Sequence, residues 1–64
     1  MKIKFVRNFA CDVVDRHDER YSRHFLKDTV VFVERIEDYG NFSNLATENG
    51  EIFLDVPKSS FTVL

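Results

Sequence analysis

The chain of 64 residues is 44% hydrophobic, 31% charged and carries a net charge of −2, which is typical of one compact domain and excludes a disordered tail or a second core. Its single cysteine excludes an internal disulfide, so we expect it to fold in a reducing, cytoplasmic compartment. No apolar run is long enough for a signal-peptide core or a membrane span, so we expect a soluble protein without a membrane partner.

The first periodic segment is KIKFVRNF, residues 2–9. Its apolar residues alternate with polar ones, which predicts a β-strand with Ile3, Phe5 and Phe9 on one face. Arg7 interrupts the apolar side. The strand is therefore expected to bulge or bend at this arginine.

The next segment, residues 12–27, is DVVDRHDERYSRHFLK, and it allows two interpretations. A helix over about 13–25 would have Asp12 as its N-cap and a stripe formed by Val14, His17, Tyr21 and Phe25. A long charged hairpin would instead fold Tyr21 and Phe25 beneath it. We favour the hairpin because the helical stripe is thin and contains a histidine. The helix, in an α+β fold, is the alternative.

The third segment is TVVFVERI, residues 29–36. It is rich in β-branched and aromatic residues, which fit a pleated, half-buried surface. The segment is therefore predicted to be a strand with Val30, Phe32 and Ile36 on one face.

The clearest local signal is a hairpin between residues 41–47 and 51–56. Between them stands Asn49-Gly50, and both residue types tolerate the positive φ that a type I′ turn requires. In the second strand, the alternation places Ile52, Leu54 and Val56 opposite Phe53 and Asp55.

The last segment begins at Pro57, which ends the preceding strand because proline has no N–H to donate. The polar KSS that follows has the length of one 3₁₀ turn. We expect a final short strand in FTVL, residues 61–64.

The order of these elements is a strand, a long charged arm, two strands, a tight hairpin into a fourth strand, a 3₁₀ turn and a last short strand. Three patches accompany that order: FACDVVD, FLKDTVVFV and GEIFLDVPKSSFTVL. Together they resemble an SH3-like barrel over essentially the whole chain. The resemblance implies one all-β domain over residues 1–64, a small five-stranded barrel with a long charged RT-type loop.

The resemblance also bears on peptide binding. In peptide-binding members of the family, a proline-rich ligand lies across aromatic residues that include a tryptophan, and this chain has no tryptophan. Only Pro57 and Phe61 match positions of that groove, with phenylalanine in place of the usual tyrosine. Binding of proline-rich peptides is therefore not expected.

Residues with catalytic or metal-binding chemistry are few. Cys11, His17 and His24 lack the spacing of a structural zinc site, and Cys11 has the character of a small buried residue. The two glycines stand ten residues apart, at Gly40 and Gly50, which excludes a phosphate-binding loop. We therefore expect no enzyme activity, no metal and no cofactor.

The best candidate for binding is IEDYGNF, residues 36–42, in which Tyr39 and Phe42 stand beside Glu37 and Asp38 in a predicted loop. Exposed aromatic residues are favoured anchors at protein interfaces, and the acids suit a basic partner. The alternative is that one of the two aromatic residues caps the core.

A second candidate is a nucleic-acid interface formed by Arg16, Arg20, Tyr21 and Arg23. Acidic residues within the same stretch would repel phosphate, so this interface is the alternative. The sequence thus predicts a small protein-interaction module, a regulator or inhibitor of a larger protein, whose size matches that of small phage-encoded accessory proteins. We expect a monomer, or a weak homodimer that pairs through an exposed strand edge.

Overall fold

Seven antiparallel strands and one 3₁₀ turn make up the computed structural model, which describes all residues 1–64. The strands are β1 (Lys2–Phe5), β2 (Phe9–Val14), β3 (Arg20–Phe25), β4 (Val30–Asp38), β5 (Phe42–Thr47), β6 (Ile52–Pro57) and β7 (Phe61–Val63), with the 3₁₀ turn at Lys58–Ser60. They form one sheet in the order β3-β2-β6-β5-β4-β1-β7. The predicted all-β class is confirmed, whereas the count of five strands is wrong because residues 9–25, which include most of the charged arm, form the two further strands β2 and β3.

The predicted bend at Arg7 separates β1 from β2. Ile3 and Phe5 are fully buried and Phe9 packs against the same core, so the predicted apolar face is confirmed. After the bend the chain changes partners: β1 pairs with β4 and β7, whereas β2 pairs with β3 and β6. The continuous segment of β1 and β2 therefore pairs with β4 and β7 before the bend and with β3 and β6 after it.

The charged arm is the hairpin of β2 and β3, paired from Phe9 opposite Phe25 to Val14 opposite Arg20. The helical alternative over about 13–25 is wrong. Asp15 stabilises the tight turn between β2 and β3, because its Oδ1 accepts the N–H groups of His17 at 2.8 Å and Glu19 at 3.0 Å. Side-chain capping of this kind competes with helix formation and favours a tight turn.

The hairpin between β5 and β6 is confirmed, but its predicted type I′ turn is wrong. Gly50 has φ +88°, whereas Asn49 is not among the residues with positive φ. The Gly50 N–H donates to the Thr47 carbonyl at 3.3 Å, and the Thr47 N–H donates to the Glu51 carbonyl at 2.8 Å. This is the pattern of a type I turn followed by a left-handed glycine, which requires positive φ at one residue only.

Two bulges change which residues face the core. In β4 the pairing with β5 shifts between Val33 and Arg35, so Val31, Val33 and Ile36 contact the core while Val30 and Phe32 are exposed. The predicted shared face of Val30, Phe32 and Ile36 is therefore wrong. An extra residue in one strand reverses the alternation beyond it, which a pattern of strict period two does not include.

The bulge in β6 lies at Asp55, which has φ 54° and donates its N–H to Asn44 Oδ1 at 3.0 Å. Phe53 and Val56 are buried as a result, whereas Leu54 is only half-buried. The predicted face of Ile52, Leu54 and Val56 is wrong for the same physical reason as in β4.

A cluster of eight buried residues forms the core: Ile3, Phe5, Val13, Phe25, Val33, Leu45, Phe53 and Val56. Aromatic rings pack in contact at its centre, with ring centroids 4.9 Å apart for Phe5 and Phe25 and 4.8 Å apart for Phe25 and Phe53. Such pairs stabilise a core beyond their buried area by roughly 0.5–1.5 kcal/mol each. The predicted 3₁₀ turn after Pro57 is confirmed and leads directly into β7, where Phe61 packs against this cluster.

Candidate functional site

The four predicted partner-binding residues lie together around the turn from β4 to β5: Glu37 and Asp38 end β4, Tyr39 lies in the connection and Phe42 begins β5. We call residues 37–42 the aromatic loop. The loop closes tightly because the Tyr39 N–H donates to the Phe42 carbonyl at 2.9 Å. The two rings stack with centroids 5.5 Å apart and planes inclined by 19°. Tyr39 is 53% exposed and Phe42 is 37% exposed, and neither belongs to the core. The alternative that one of them caps the core is therefore wrong.

Asp38 holds the loop in this conformation. Its Oδ1 accepts the Gly40 N–H at 2.8 Å and lies 2.6 Å from Nζ of Lys58. The contact with Lys58, followed by that with the Gly40 N–H, lowers the pKa of the Asp38 carboxyl below its usual value. Lys58 also donates its backbone N–H to the Asn41 carbonyl at 3.1 Å. The 3₁₀ turn thus restrains the loop through two contacts of Lys58, one with the Asp38 side chain and one with the Asn41 carbonyl.

Glu37 is also occupied within the chain. Its Oε1 lies 3.5 Å from Nε of Arg35, and its Oε2 accepts a hydrogen bond of 3.3 Å from the Tyr39 hydroxyl. Both acids of the loop therefore face a basic side chain, Arg35 or Lys58. The acids predicted to attract a basic partner thus also have roles within the chain: Glu37 holds the Tyr39 hydroxyl, and Asp38 holds the loop backbone at Gly40.

Lys58 is the residue of this site that the sequence analysis did not identify. Its partner Asp38 is distant in sequence, and no local pattern signals the contact. The one available signal is the ladder, because Phe42 lies opposite Pro57 and thereby brings the residue after Pro57 next to the loop. Of the two groove positions implied by the SH3-like resemblance, only Pro57 adjoins the aromatic loop, since Phe61 packs against the core.

The alternative set of basic residues lies on β3 and at the tip of its hairpin. Arg20 makes a two-pronged contact with Asp12, with Nε and Nη2 at 3.0 Å and 2.8 Å from Oδ2. Arg23 and Tyr21 both bind the carboxylate of Glu51, at 3.3 Å and 3.0 Å. That hydrogen bond from the hydroxyl to Glu51 raises the pKa of Tyr21.

Arg16 alone among these four residues has no carboxylate or side-chain partner of its own. The structure therefore brings the basic set together, but it pairs three members with acids that a phosphate backbone would have to displace. Acids interspersed in this way weaken a phosphate-binding surface, whose affinity depends on unpaired Lys and Arg.

Cys11 is half-buried on β2 and packs against the core. Burial, and then the neighbouring charge of Asp12, raises the pKa of its thiol to about 11. A thiol in this environment is a poor nucleophile, because the thiolate is the reactive form. No group of three or more His, Cys, Asp and Glu side chains lies close enough together to hold a metal ion.

Comparison with models of known protein families, with curated proteins and with solved structures finds no match to this chain. The structure has no helix with the length and apolar character needed to cross a membrane. The fold and the site describe an all-β domain that presents one pair of stacked aromatic rings on a braced loop.

Proposed function

We propose that this chain is a small protein-interaction module, a regulator or inhibitor that binds a larger protein through the aromatic loop. The observation that supports it most is the exposed stack of Tyr39 on Phe42. Large aromatic side chains are usually buried, and those that form an exposed patch often contact a binding partner. Tyrosine and other aromatic residues are enriched at protein interfaces and supply much of the binding energy there.

The bracing of the loop supports the same proposal. Binding costs conformational entropy when an anchor has to be ordered, and a loop ordered beforehand avoids part of that cost. Here the hydrogen bond from Tyr39 to Phe42, the Gly40 contact and the Lys58 ion pair all restrain the loop in the free protein. The rings are thus arranged to enter a partner's pocket as one rigid unit.

The fold to which the loop belongs is, in our proposal, an SH3-like barrel. The bend between β1 and β2 lets one segment pair with β4 on one side and β6 on the other, which is the means by which a sheet curls back on itself. The 3₁₀ turn before the last strand supports the same assignment. A cytoplasmic location fits an unpaired cysteine, and the small size fits a phage-encoded regulator.

A capture experiment tests this function. Immobilised wild-type chain is incubated with lysate, with and without nuclease, beside a Tyr39→Ala/Phe42→Ala variant and a control, Leu26→Ala, which removes an even more exposed apolar side chain outside the loop. A defined protein that survives nuclease and is lost only with the double variant supports the proposal. Material that disappears on nuclease treatment supports nucleic-acid binding through Arg16, Arg20, Tyr21 and Arg23 instead.

A further inference from the structure

A second surface, separate from the aromatic loop, is an open groove of about 450 Å³ between β3 and the first half of β4. The two strands follow each other through a tight turn, yet they pair with different neighbours and diverge. The buried rings of Phe25 and Phe53 lie at the base of the groove, and the guanidinium of Arg23 lies over them, 5.1 Å and 5.9 Å from their ring centroids. The β5–β6 hairpin forms another wall through Thr47, Glu48, Asn49 and Glu51.

Two large apolar side chains at this groove are exposed. Phe32 is 57% exposed and Val30 is 44% exposed, although both stand in the longest strand of the sheet. Both lie on the face of β4 opposite to Val31 and Val33, which contact the core. Exposed apolar residues that adjoin a groove are typical of interaction sites.

On the side of β4 away from β1, the N–H groups of Val30 and Phe32 and the carbonyl of Val30 have no backbone partner. Between β1 and β4 the hydrogen-bonded pairs include Met1 with Val33 and Phe5 with Thr29. Because such pairs alternate along an antiparallel ladder, the N–H and C=O groups of Val30 and Phe32 point away from β1, towards the groove. Four consecutive residues, Thr29–Phe32, line the groove, as expected where the edge of a strand faces it.

The neighbour that would satisfy these groups ends too early. The pairing of β5 with β4 stops at Thr47 opposite Val33, and one further hydrogen bond, from the Glu48 N–H to the Phe32 carbonyl at 3.2 Å, marks where the chain turns away. No strand faces Val30 on that side. An extended segment placed there would continue the line of β5 along β4.

We propose that this groove binds an extended segment of another protein, which adds a strand beside Val30–Phe32 and places an apolar side chain against the exposed ring of Phe32. Strand addition of this kind takes affinity from main-chain hydrogen bonds and specificity from alternate side chains. In the bound segment of the partner, apolar residues alternate with basic ones. Its positive side chain faces Glu48, which lines the groove and takes part in none of the ion pairs, whereas Glu51 is already bound by Arg23.

This site is independent of the proposed function. Val30 and Asp38 stand at opposite ends of β4, on the order of 25 Å apart at the usual rise per residue of a strand. The two surfaces share no residue. An experiment that contradicts binding at one of these two surfaces therefore does not contradict binding at the other.

The test uses short synthetic peptides and the intact chain, followed by amide NMR. The probe alternates Val and Lys around a central Phe; its matched control has Glu in place of every Lys. We expect the basic probe to bind and to slow hydrogen exchange at the amides of Val30 and Phe32. The Glu peptide should bind at least about tenfold more weakly, because its charge opposes that of Glu48.

Two pairs of variants refine the result. Val30→Pro removes the main-chain donor at the first residue of β4, where proline is tolerated, whereas Val30→Ala keeps it. Val30→Pro should weaken binding several-fold more than Val30→Ala, with thermal melts checked for both. Phe32→Ala should weaken binding about tenfold, and Leu64→Ala, at an exposed position outside the groove, should leave it unchanged.

Several results would overturn the proposal. These are equal binding of both peptides, equal binding by the proline and alanine variants, or no binding of the basic probe at millimolar concentration. Protection of the Val30 and Phe32 amides that grows with protein concentration in the absence of peptide would assign the groove to a second copy of this chain and would overturn it as well.

Discussion

Nζ of Lys58 lies 2.6 Å from Oδ1 of Asp38, which joins the 3₁₀ turn to the end of β4, next to the loop that carries the stacked rings. Because the two side chains are exposed, the contact contributes little to global stability, as is usual for surface ion pairs. Its effect is local: it fixes the loop that carries Tyr39 and Phe42.

The first prediction concerns the titration of Asp38. Its pKa is lowered by Lys58 and the Gly40 N–H, so its anchoring is complete above the ordinary aspartate pKa and is lost as pH falls through the lowered value. Carboxyl carbon NMR should give a midpoint below the usual aspartate value, and Lys58→Ala should move it upward. An unchanged midpoint in Lys58→Ala would mean that the ion pair does not persist in solution.

The second prediction concerns binding through the aromatic loop. With a captured partner, Tyr39→Ala or Phe42→Ala should cost about 2 kcal/mol or more, mostly as faster dissociation, with the melt unchanged. Charge reversal at Glu37 should instead slow association and reduce its salt dependence. If replacing Arg16, Arg20 or Arg23 weakens binding while the loop variants do not, the interface lies on the β2–β3 hairpin.

The third prediction concerns Gly50. Its φ of +88° disfavours any side chain, and a Cβ there would lie 3.1 Å from Cβ of Arg16. Gly50→Val should therefore destabilise the fold by about 1–3 kcal/mol. Gly40→Val is the matched control, because Gly40 has φ +94° but no heavy atom within 4 Å of its added Cβ. Chemical denaturation should show the smaller loss for Gly40→Val, and equal losses would exclude a contribution from the contact with Arg16.

The fourth prediction concerns Asp28, one of three aspartates with positive φ; its φ is 73°. Glycine adopts this conformation without the steric cost that a Cβ imposes, so Asp28→Gly should stabilise the chain by up to about 1 kcal/mol. Ser22→Gly, at an exposed position inside β3, should destabilise by about 0.5–1 kcal/mol through chain entropy alone. Thermal melts that fall for both variants would contradict the prediction for Asp28.

The fifth prediction concerns Cys11. A thiol pKa of about 11 leaves far less thiolate at neutral pH than a free cysteine has, so alkylation of the folded chain should be about 100-fold slower or more than in denaturant. Because the unfolded chain loses the thiol proton at a lower pH than the folded chain, the free energy of unfolding should fall as pH rises above the ordinary cysteine pKa. Alkylation at comparable rates in both states would show that Cys11 is accessible and unperturbed.

Much of the fold could be predicted from the sequence, because the strands, the Asn49-Gly50 hairpin and the 3₁₀ turn each have a local cause. The faces of β4 and β6 could not, because their bulges depend on pairing with β5 and reverse the alternation after a single extra residue. At Asp55 the left-handed conformation occurs at a residue that strand patterns treat as ordinary.

The candidate site likewise has a part that the sequence predicts and a part that it does not. Tyr39 and Phe42 are close in sequence, so their proximity in a loop could be predicted from their spacing. The partners of the charged residues could not, since Lys58 reaches Asp38 and Arg23 reaches Glu51 across strands that are distant in sequence. Residues that sequence analysis treats as free charges are in these cases restraints on neighbouring aromatic groups.

The position of β1 between β4 and β7 has a consequence for how the protein forms. Strand β1 precedes β7 by more than fifty residues along the chain, yet it needs β7 before both of its edges are paired. Contacts between such distant parts of a chain require long loops to close, and domains dominated by them fold in milliseconds to seconds rather than microseconds. We therefore expect the sheet to complete after synthesis of β7, in a single slow cooperative step.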